Sequence, residues 1–117
     1  MCLNPIPKCG DLVYLGSKST RTYRLVISDD TFNEKSKIVW LLEVQSGQAS
    51  NKGLRVPFLF RDEAFFVKVE SITSVTWEAP NSEANVREVK ILGPIPSEAT
   101  EEVQAKMVSL LFAKRLK

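Results

Sequence analysis

The chain has 117 residues and contains no histidine and only two cysteines. The absence of histidine excludes Ser-His and Cys-His nucleophile pairs, histidine general bases and the usual zinc sites. A reducing cytoplasm would keep Cys2 and Cys9 as thiols, and metal binding would need more ligands than these two. If the protein is an enzyme, its chemistry therefore depends on Arg, Lys, Asp, Glu, Tyr, Thr, Ser or Cys side chains.

Long apolar runs are also missing from the sequence. No run approaches the ~18 residues that a membrane-spanning helix needs, and the N-terminus has no charged region followed by an apolar run, as a signal peptide would have. We therefore predict a cytoplasmic protein that does not cross a membrane. Sixteen Lys and Arg residues against fourteen Asp and Glu give a net charge of +2, so any anionic partner would have to be met by a local patch.

The sequence does contain a series of short β patterns within the length of one domain. Strands are predicted at residues 10–15, 22–28, 38–44, 54–58, 64–69, 71–77 and 87–92. Residues 1–9 predict an extended N-terminal arm, and residues 29–36 predict a turn with one helical turn capped by Asp29 or Asp30. The nearly continuous apolar run at 38–44, which includes Trp40, predicts a central strand buried on both faces. Six or seven such strands indicate a small barrel.

A single C-terminal helix is predicted to follow these strands, at about residues 97–115. Ser97 is a good N-cap, glutamates crowd the first turns, and basic residues crowd the end, which is the arrangement that the helix dipole favours. Val103, Met107 and Leu110 fall on one face of that helix. The predicted fold class is therefore mainly β with a C-terminal helix, and residues 1–117 form a single domain.

The order of several short motifs along the chain carries further information. Gly-Asp-Leu-Val-Tyr at 10–14 precedes a loop, and Arg-Leu-Val-Ile-Ser at 24–28 and Thr-Phe-Asn at 31–33 follow it. Ser-Ile-Thr-Ser-Val-Thr-Trp at 71–77 precedes Gly-Pro-Ile-Pro-Ser-Glu at 93–98, which leads into the terminal helix. In this order and spacing the chain resembles the MazF/PemK family of toxin–antitoxin toxins over residues 10–111.

The resemblance implies a small SH3-like β-barrel of the MazF/PemK/CcdB type that forms a homodimer. It also implies a toxin of a type II toxin–antitoxin system that acts as a metal-independent endoribonuclease and needs no cofactor. In such toxins a groove at the dimer interface binds single-stranded RNA, and the ribose 2′-hydroxyl attacks the neighbouring phosphate. An extended segment of a partner antitoxin protein occupies the same groove and blocks it.

The resemblance also indicates the candidate site residues. Thr22 and Tyr23 stand where the family has Arg-Pro, with Arg21 and Arg24 on either side, and Gln45 stands where the family has a threonine. Guanidinium and amide groups can donate to a phosphate, so the hypothesis needs them around one pocket. The predicted catalytic residues are Arg21, Arg24, Gln45 and Ser46, and the predicted RNA contacts are Lys18, Thr22, Tyr23 and Trp77.

Other interpretations of the same residues stay open at this point. The loop at 16–20 is shorter than in the family, and the Arg-Pro pair and the threonine are missing. The alternative is therefore a catalytically degenerate member of the same fold that binds a peptide or nucleic acid, and a third hypothesis is an unrelated small barrel. Among the aromatic residues, Trp40 is predicted to be core, Trp77 to be partly exposed, and Phe60 and Phe66 to be exposed apolar surface.

Overall fold

Strands dominate the structure, which is a computed structural model that describes residues 6–17, 21–48, 54–77 and 86–112. These residues contain the strands β1 (Asp11–Ser17), β2 (Arg21–Val26), β3 (Ile38–Ser46), β4 (Arg55–Phe60), β5 (Glu63–Thr76) and β6 (Val86–Pro94). They also contain the helices α1 (Asp30–Ser36) and α2 (Ser97–Phe112). The predicted class, mainly β with a C-terminal helix, is confirmed.

All described strands belong to one antiparallel sheet with the order β4-β5-β3-β2-β1-β6. The sheet curls into a half-barrel, and β3 lies between β5 and β2 as its apolar sequence predicts. Because side chains alternate between the faces of a strand, the sheet can bury two separate clusters of apolar residues.

The first core lies on the side of the sheet that α2 covers. Its buried members are Leu12, Leu25, Leu42, Val44, Val56, Phe58, Phe65, Val67, Val69, Ile95, Ala99 and Val103. The second core lies on the other side, and its buried members are Val13, Val26, Val39, Leu41 and Trp77. Ile6, from the segment before β1, packs against the second core, so part of the predicted N-terminal arm has a structural role.

Helix α1 confirms the predicted helical turn and its cap. The Asp29 carboxylate accepts hydrogen bonds from the backbone N–H groups of Thr31 and Phe32. Inside the first turn, Asn33 is fully buried, donates to the carbonyls of Pro7 and Ser28, and accepts from the Ser28 hydroxyl. This polar network fixes α1 against both the segment before β1 and the end of β2, because a buried amide is costly unless all its groups are satisfied.

Strand β5 is one long strand, although the sequence predicts two with an irregularity near residues 73–74. Leu41 pairs with Thr73 and Glu43 pairs with Lys68, so the single residue 42 of β3 opposes residues 69–72 of β5. Ser71 compensates for the interrupted ladder: its Oγ accepts from the Glu43 N–H at 2.7 Å and donates to the Lys68 carbonyl at 2.7 Å. The bulge therefore lies beside Glu43, a few residues earlier than predicted.

Helix α2 begins at Ser97, but that residue is not its N-cap. The N–H groups of Ala99 and Thr100 donate to the carbonyl of Pro96, which places the helix boundary before Ser97 and makes the predicted cap wrong. Val103 is fully buried as expected, whereas Leu110, predicted on the apolar face, is 45% exposed. No described helix is long and apolar enough to cross a membrane.

The two tryptophans have the reverse of their predicted exposures. Trp40 is 44% exposed, makes an edge-to-face contact with Phe32 of the short helix α1, and lines an open cavity rather than a packed core. Trp77 is 1% exposed and lies within the second core. The prediction of a buried Trp40 and a partly exposed Trp77 is therefore wrong for both residues.

The tight turn between β4 and β5 also joins the two edges of the curled sheet. Arg61 and Asp62 both have positive φ values, 52° and 68°, as the two central residues of a type I′ hairpin turn require. The Arg61 guanidinium lies 4.9 Å from the centre of the Phe60 ring and donates from Nη2 to the Leu92 carbonyl at 2.9 Å. Since β4 and β6 are the edge strands, this contact ties one end of the half-barrel to the other.

Two leucines on strands provide a matched test of which face is core. Leu42 is fully buried and Leu59 is 65% exposed. We expect Leu42→Ala to lower the free energy of unfolding by about 2–5 kcal/mol, and Leu59→Ala to change it by less than about 0.5 kcal/mol. Urea denaturation followed by circular dichroism measures both, and equal effects would contradict the assignment of the faces.

Candidate functional site

An open cavity of about 570 Å³ lies where β2 and β3 run beside the start of β5. It is lined by Thr22, Tyr23, Glu43, Val44, Gln45, Ser46 and Glu63. Gln45 and Ser46 lie beyond the strand predicted at 38–44, but β3 continues through both of them, so a paired strand holds them in place. The cavity therefore brings together four of the predicted site residues.

The register of the strands defines a polar face next to this cavity. Arg24 is paired with Glu43, Glu43 with Lys68, and Gln45 with Phe66. Directly paired residues of antiparallel strands project from the same face, and so do residues two positions apart on one strand. The polar face, on this basis, consists of Thr22, Arg24, Glu43, Gln45, Arg55, Phe66, Lys68 and Glu70.

Glu43 organises the centre of the polar face. Its Oε2 accepts from the Gln45 Nε2 at 2.9 Å, and its Oε1 lies 3.6 Å from the Lys68 Nζ. The backbone N–H of Glu43 donates to Ser71 in the bulge. These contacts hold the Gln45 amide in one orientation, which is what a hydrogen-bond donor aimed at a ligand requires.

Arg24 is the cation on this face that has no described acidic partner. Its Nε is buried and has no hydrogen-bond partner among the described residues, although Glu43 is its neighbour in the register. The carboxylate of Glu43 instead contacts Gln45 and Lys68. A guanidinium that no carboxylate neutralises remains able to bind an anion.

Arg55 and Glu70 form the outer part of the polar face. The Arg55 Nη1 donates to both Glu70 oxygens, at 2.7 and 2.8 Å. The pKa of Glu70 is lowered from its ordinary value, chiefly by a hydrogen bond from its own backbone N–H and then by Arg55 and Lys68. Because the Glu70 side chain is 40% exposed, the pair fixes local charge more than it contributes to stability.

Cys9 lies away from this site and is not an activated thiol. Burial raises the pKa of its thiol, and so do the carboxylates of Asp30, Asp29 and Asp11, against the lowering effect of a hydrogen bond from Gln104. A nucleophilic cysteine needs a lowered pKa. Among the described residues, no group of three or more Cys, Asp or Glu side chains could hold a metal ion.

The remaining predicted site residues fall into three groups. Arg24 lies on the polar face rather than in the cavity wall, next to the strand that carries Gln45. Arg21 begins β2, but its side chain lies outside the described residues, as does the whole of Lys18. Trp77 is buried in the second core, so its ring has no open face for a base and the predicted RNA contact is not retained.

Sequence reasoning missed several polar residues that the structure places at the site. Glu43 and Glu63 line the cavity, and Lys68 pairs with Glu43. A sequence signal did exist for two of them, since Glu43 and Lys68 each interrupt an apolar run within a predicted strand. A charged residue at such a position marks the face of the strand that is turned away from the core.

Several solved structures share this architecture. MazF from Deinococcus radiodurans is similar over 92% of this chain and 98% of its own, with a TM-score of 0.71 and 22% identity. A MazE-MazF structure from the same organism matches 92% of this chain and 97% of its own, with a TM-score of 0.73 and 24% identity. An endoribonuclease in complex with its cognate antitoxin from a mycobacterial species matches 90% of this chain and 94% of its own, with a TM-score of 0.68 and 12% identity.

The chain has the MazF fold. No family model and no curated protein matches its sequence. At identities of 12 to 24%, the likeness to MazF concerns the fold alone, and function has to be argued from the site.

The Arg55–Glu70 pair gives a prediction for the charge on the polar face. Arg55→Leu should raise the pKa of Glu70 towards its ordinary value, because the guanidinium that stabilises the carboxylate is removed. A carboxylate with a lowered pKa stabilises the fold at pH values above its ordinary pKa, and this stabilisation is lost as the pH falls. Because the variant has less of this stabilisation, its free energy of unfolding should fall less on acidification. NMR titration of the Glu70 side-chain carbon measures the pKa, with Arg61→Leu as the control, and an unchanged Glu70 would contradict the prediction.

Proposed function

We propose that this protein is a MazF-like toxin of a type II toxin–antitoxin system, a cytoplasmic endoribonuclease that cleaves single-stranded RNA without a metal ion. The support comes from the fold, which it shares with MazF and with a protein described as an endoribonuclease in complex with its antitoxin. The single observation that carries the proposal is the cavity in which Gln45 and Ser46 meet, beside Arg24, whose Nε has no hydrogen-bond partner among the described residues.

The proposed reaction is attack by a ribose 2′-oxygen on the adjacent phosphorus. The new bond forms as the 5′-oxygen of the next nucleotide leaves, so the products are a 2′,3′-cyclic phosphate and a 5′-hydroxyl end. The 2′-hydroxyl loses a proton and the leaving oxygen gains one, while negative charge grows on the phosphate oxygens. Fixed donors around those oxygens lower the barrier.

The described residues supply such donors from two neighbouring strands. Gln45 has one N–H on Glu43 and a second available for a phosphate oxygen, and the exposed Ser46 hydroxyl can donate beside it. Arg24 offers a permanent positive charge from β2. Glu63, at the start of β5 and in the same cavity wall, is a carboxylate that can accept a proton in a chain without histidine.

We also propose that the toxin is a homodimer joined through an apolar surface around α1 and the end of α2. Phe32, Trp40, Val108 and Leu110 are all at least 40% exposed, and a cavity of about 320 Å³ lies between Trp40 and Met107. Large apolar side chains grouped on a surface are typical of a protein interface. The second partner in this proposal is an antitoxin protein, which would inhibit the toxin by occupying its RNA groove.

The nuclease activity is tested with the purified protein and a long single-stranded RNA in EDTA. We expect cleavage by the wild type, and a loss of about 100- to 1,000-fold in kcat for Gln45→Ala, since one donor to the developing charge is removed. Gln104→Ala is the matched control, because that glutamine contacts only Cys9 among the described residues. Intact RNA at high concentrations of folded wild-type protein would contradict the proposal.

The homodimer is tested by sedimentation of wild type and variants over a range of concentrations. Trp40→Asp should shift the protein to monomer, because a carboxylate would be buried without a partner at the interface. Leu59→Asp is the control, as Leu59 lies on the edge strand β4 and is 65% exposed. A wild type that sediments as a monomer at all concentrations would refute the dimer.

A further inference from the structure

We infer that Phe66 is a stacking platform for one nucleobase of the bound RNA, placed directly beside Gln45. This inference rests on the proposed ribonuclease function and specifies where that site reads its substrate. It concerns a residue of β5 that lies opposite Gln45 in the register.

The position of Phe66 follows from the alternation of side chains along β5. Phe65 points into the first core, is 3% exposed, and packs against Phe58 and Tyr23 with ring centres 5.6 and 5.2 Å away. Phe66, the next residue, therefore projects from the opposite face, which is the polar face. Two consecutive phenylalanines thus have different environments, and only the first is a core residue.

Phe66 is half-buried but belongs to neither apolar core. Its register partners are Gln45 on β3 and Pro57 on β4, both of which are exposed. Among the described residues, no aromatic ring packs against it, whereas Phe65 packs against both Phe58 and Tyr23. An aromatic side chain that is only partly buried, lies outside both cores and has exposed neighbours on each side is suited to stacking with a planar ligand.

The surroundings of Phe66 favour a nucleobase as that ligand. Gln45 still has its carbonyl oxygen available when one N–H is bonded to Glu43 and the other to a phosphate, so that oxygen can accept from the edge of a base. Arg24, across from Glu43 in the register, is a cation that suits a phosphate of the same strand. Aromatic stacking with adjacent hydrogen-bond donors and cations is the usual chemistry of single-stranded RNA recognition.

Binding to an uncleavable single-stranded oligonucleotide tests the inference without involving the chemical step. The probe is a fluorescein-labelled oligonucleotide with 2′-deoxy substitution at every position, for which no 2′-oxygen is present to attack. Phe66→Leu should weaken binding by up to about 150-fold and by at least about fivefold, the range that loss of one base–aromatic stack gives on substitution of the aromatic residue, whereas Phe66→Tyr should bind within about twofold of wild type. Phe60→Leu is the matched control, because Phe60 is also half-buried but packs against the first core.

A scan with abasic nucleotides provides the second measurement. In the wild type, one position of the oligonucleotide should be sensitive to loss of its base by the same factor as Phe66→Leu. In Phe66→Leu, that position should lose its sensitivity, because the base and the ring act as a pair. Phe66→Met replaces the leucine variant if circular dichroism shows that the latter does not fold.

The outcomes distinguish failure of this inference from failure of the proposed ribonuclease function. A folded wild type that neither binds the oligonucleotide nor cleaves RNA overturns both. The stacking platform alone is overturned if the wild type binds and cleaves, and the Phe66→Leu protein binds equally well and shows the same abasic profile. Weaker binding by Phe66→Leu and an abasic effect that disappears in that variant support it.

Discussion

The hydrogen bond from the Glu43 N–H to the Ser71 hydroxyl fixes where β5 bulges against β3. On one side of this bulge, β5 presents Lys68 and Phe66 to Glu43 and Gln45. A shift of the register by one residue would move every side chain of that segment to the opposite face. The polar face, and with it the arrangement of every candidate site residue on β5, therefore depends on a single serine that satisfies an interrupted ladder.

The division of the sheet into two faces explains how so small a domain combines a core with a site. One face is covered by α2 and holds the larger core, which needs close packing. The other face buries only its central residues around Trp77 and is polar beyond them. Because the charged residues lie on the uncovered part of that face, the candidate site places no charged side chain in the core that stabilises the fold.

Charge on the polar face is balanced unevenly, and the imbalance leaves a local positive charge. Glu70 neutralises Arg55, and Glu43 contacts Lys68, so these pairs carry little net field. Arg24 lacks such a partner among the described residues, which leaves one positive charge next to the cavity. This focused charge meets the requirement for a local anion site in a chain whose net charge is only +2.

The sequence by itself determined the local features: a chain made mainly of strands, the capping of α1 by Asp29, the terminal helix and the absence of histidine. These features depend on residues close together in the chain, so their patterns can be recognised in the sequence. Only the tertiary structure decided that Trp40 is exposed and Trp77 is buried, that β3 continues to Ser46, and that Phe66 lies beside Gln45. Each of these is set by which segments pack across the sheet, and contacts between distant segments leave no periodic signal in the sequence.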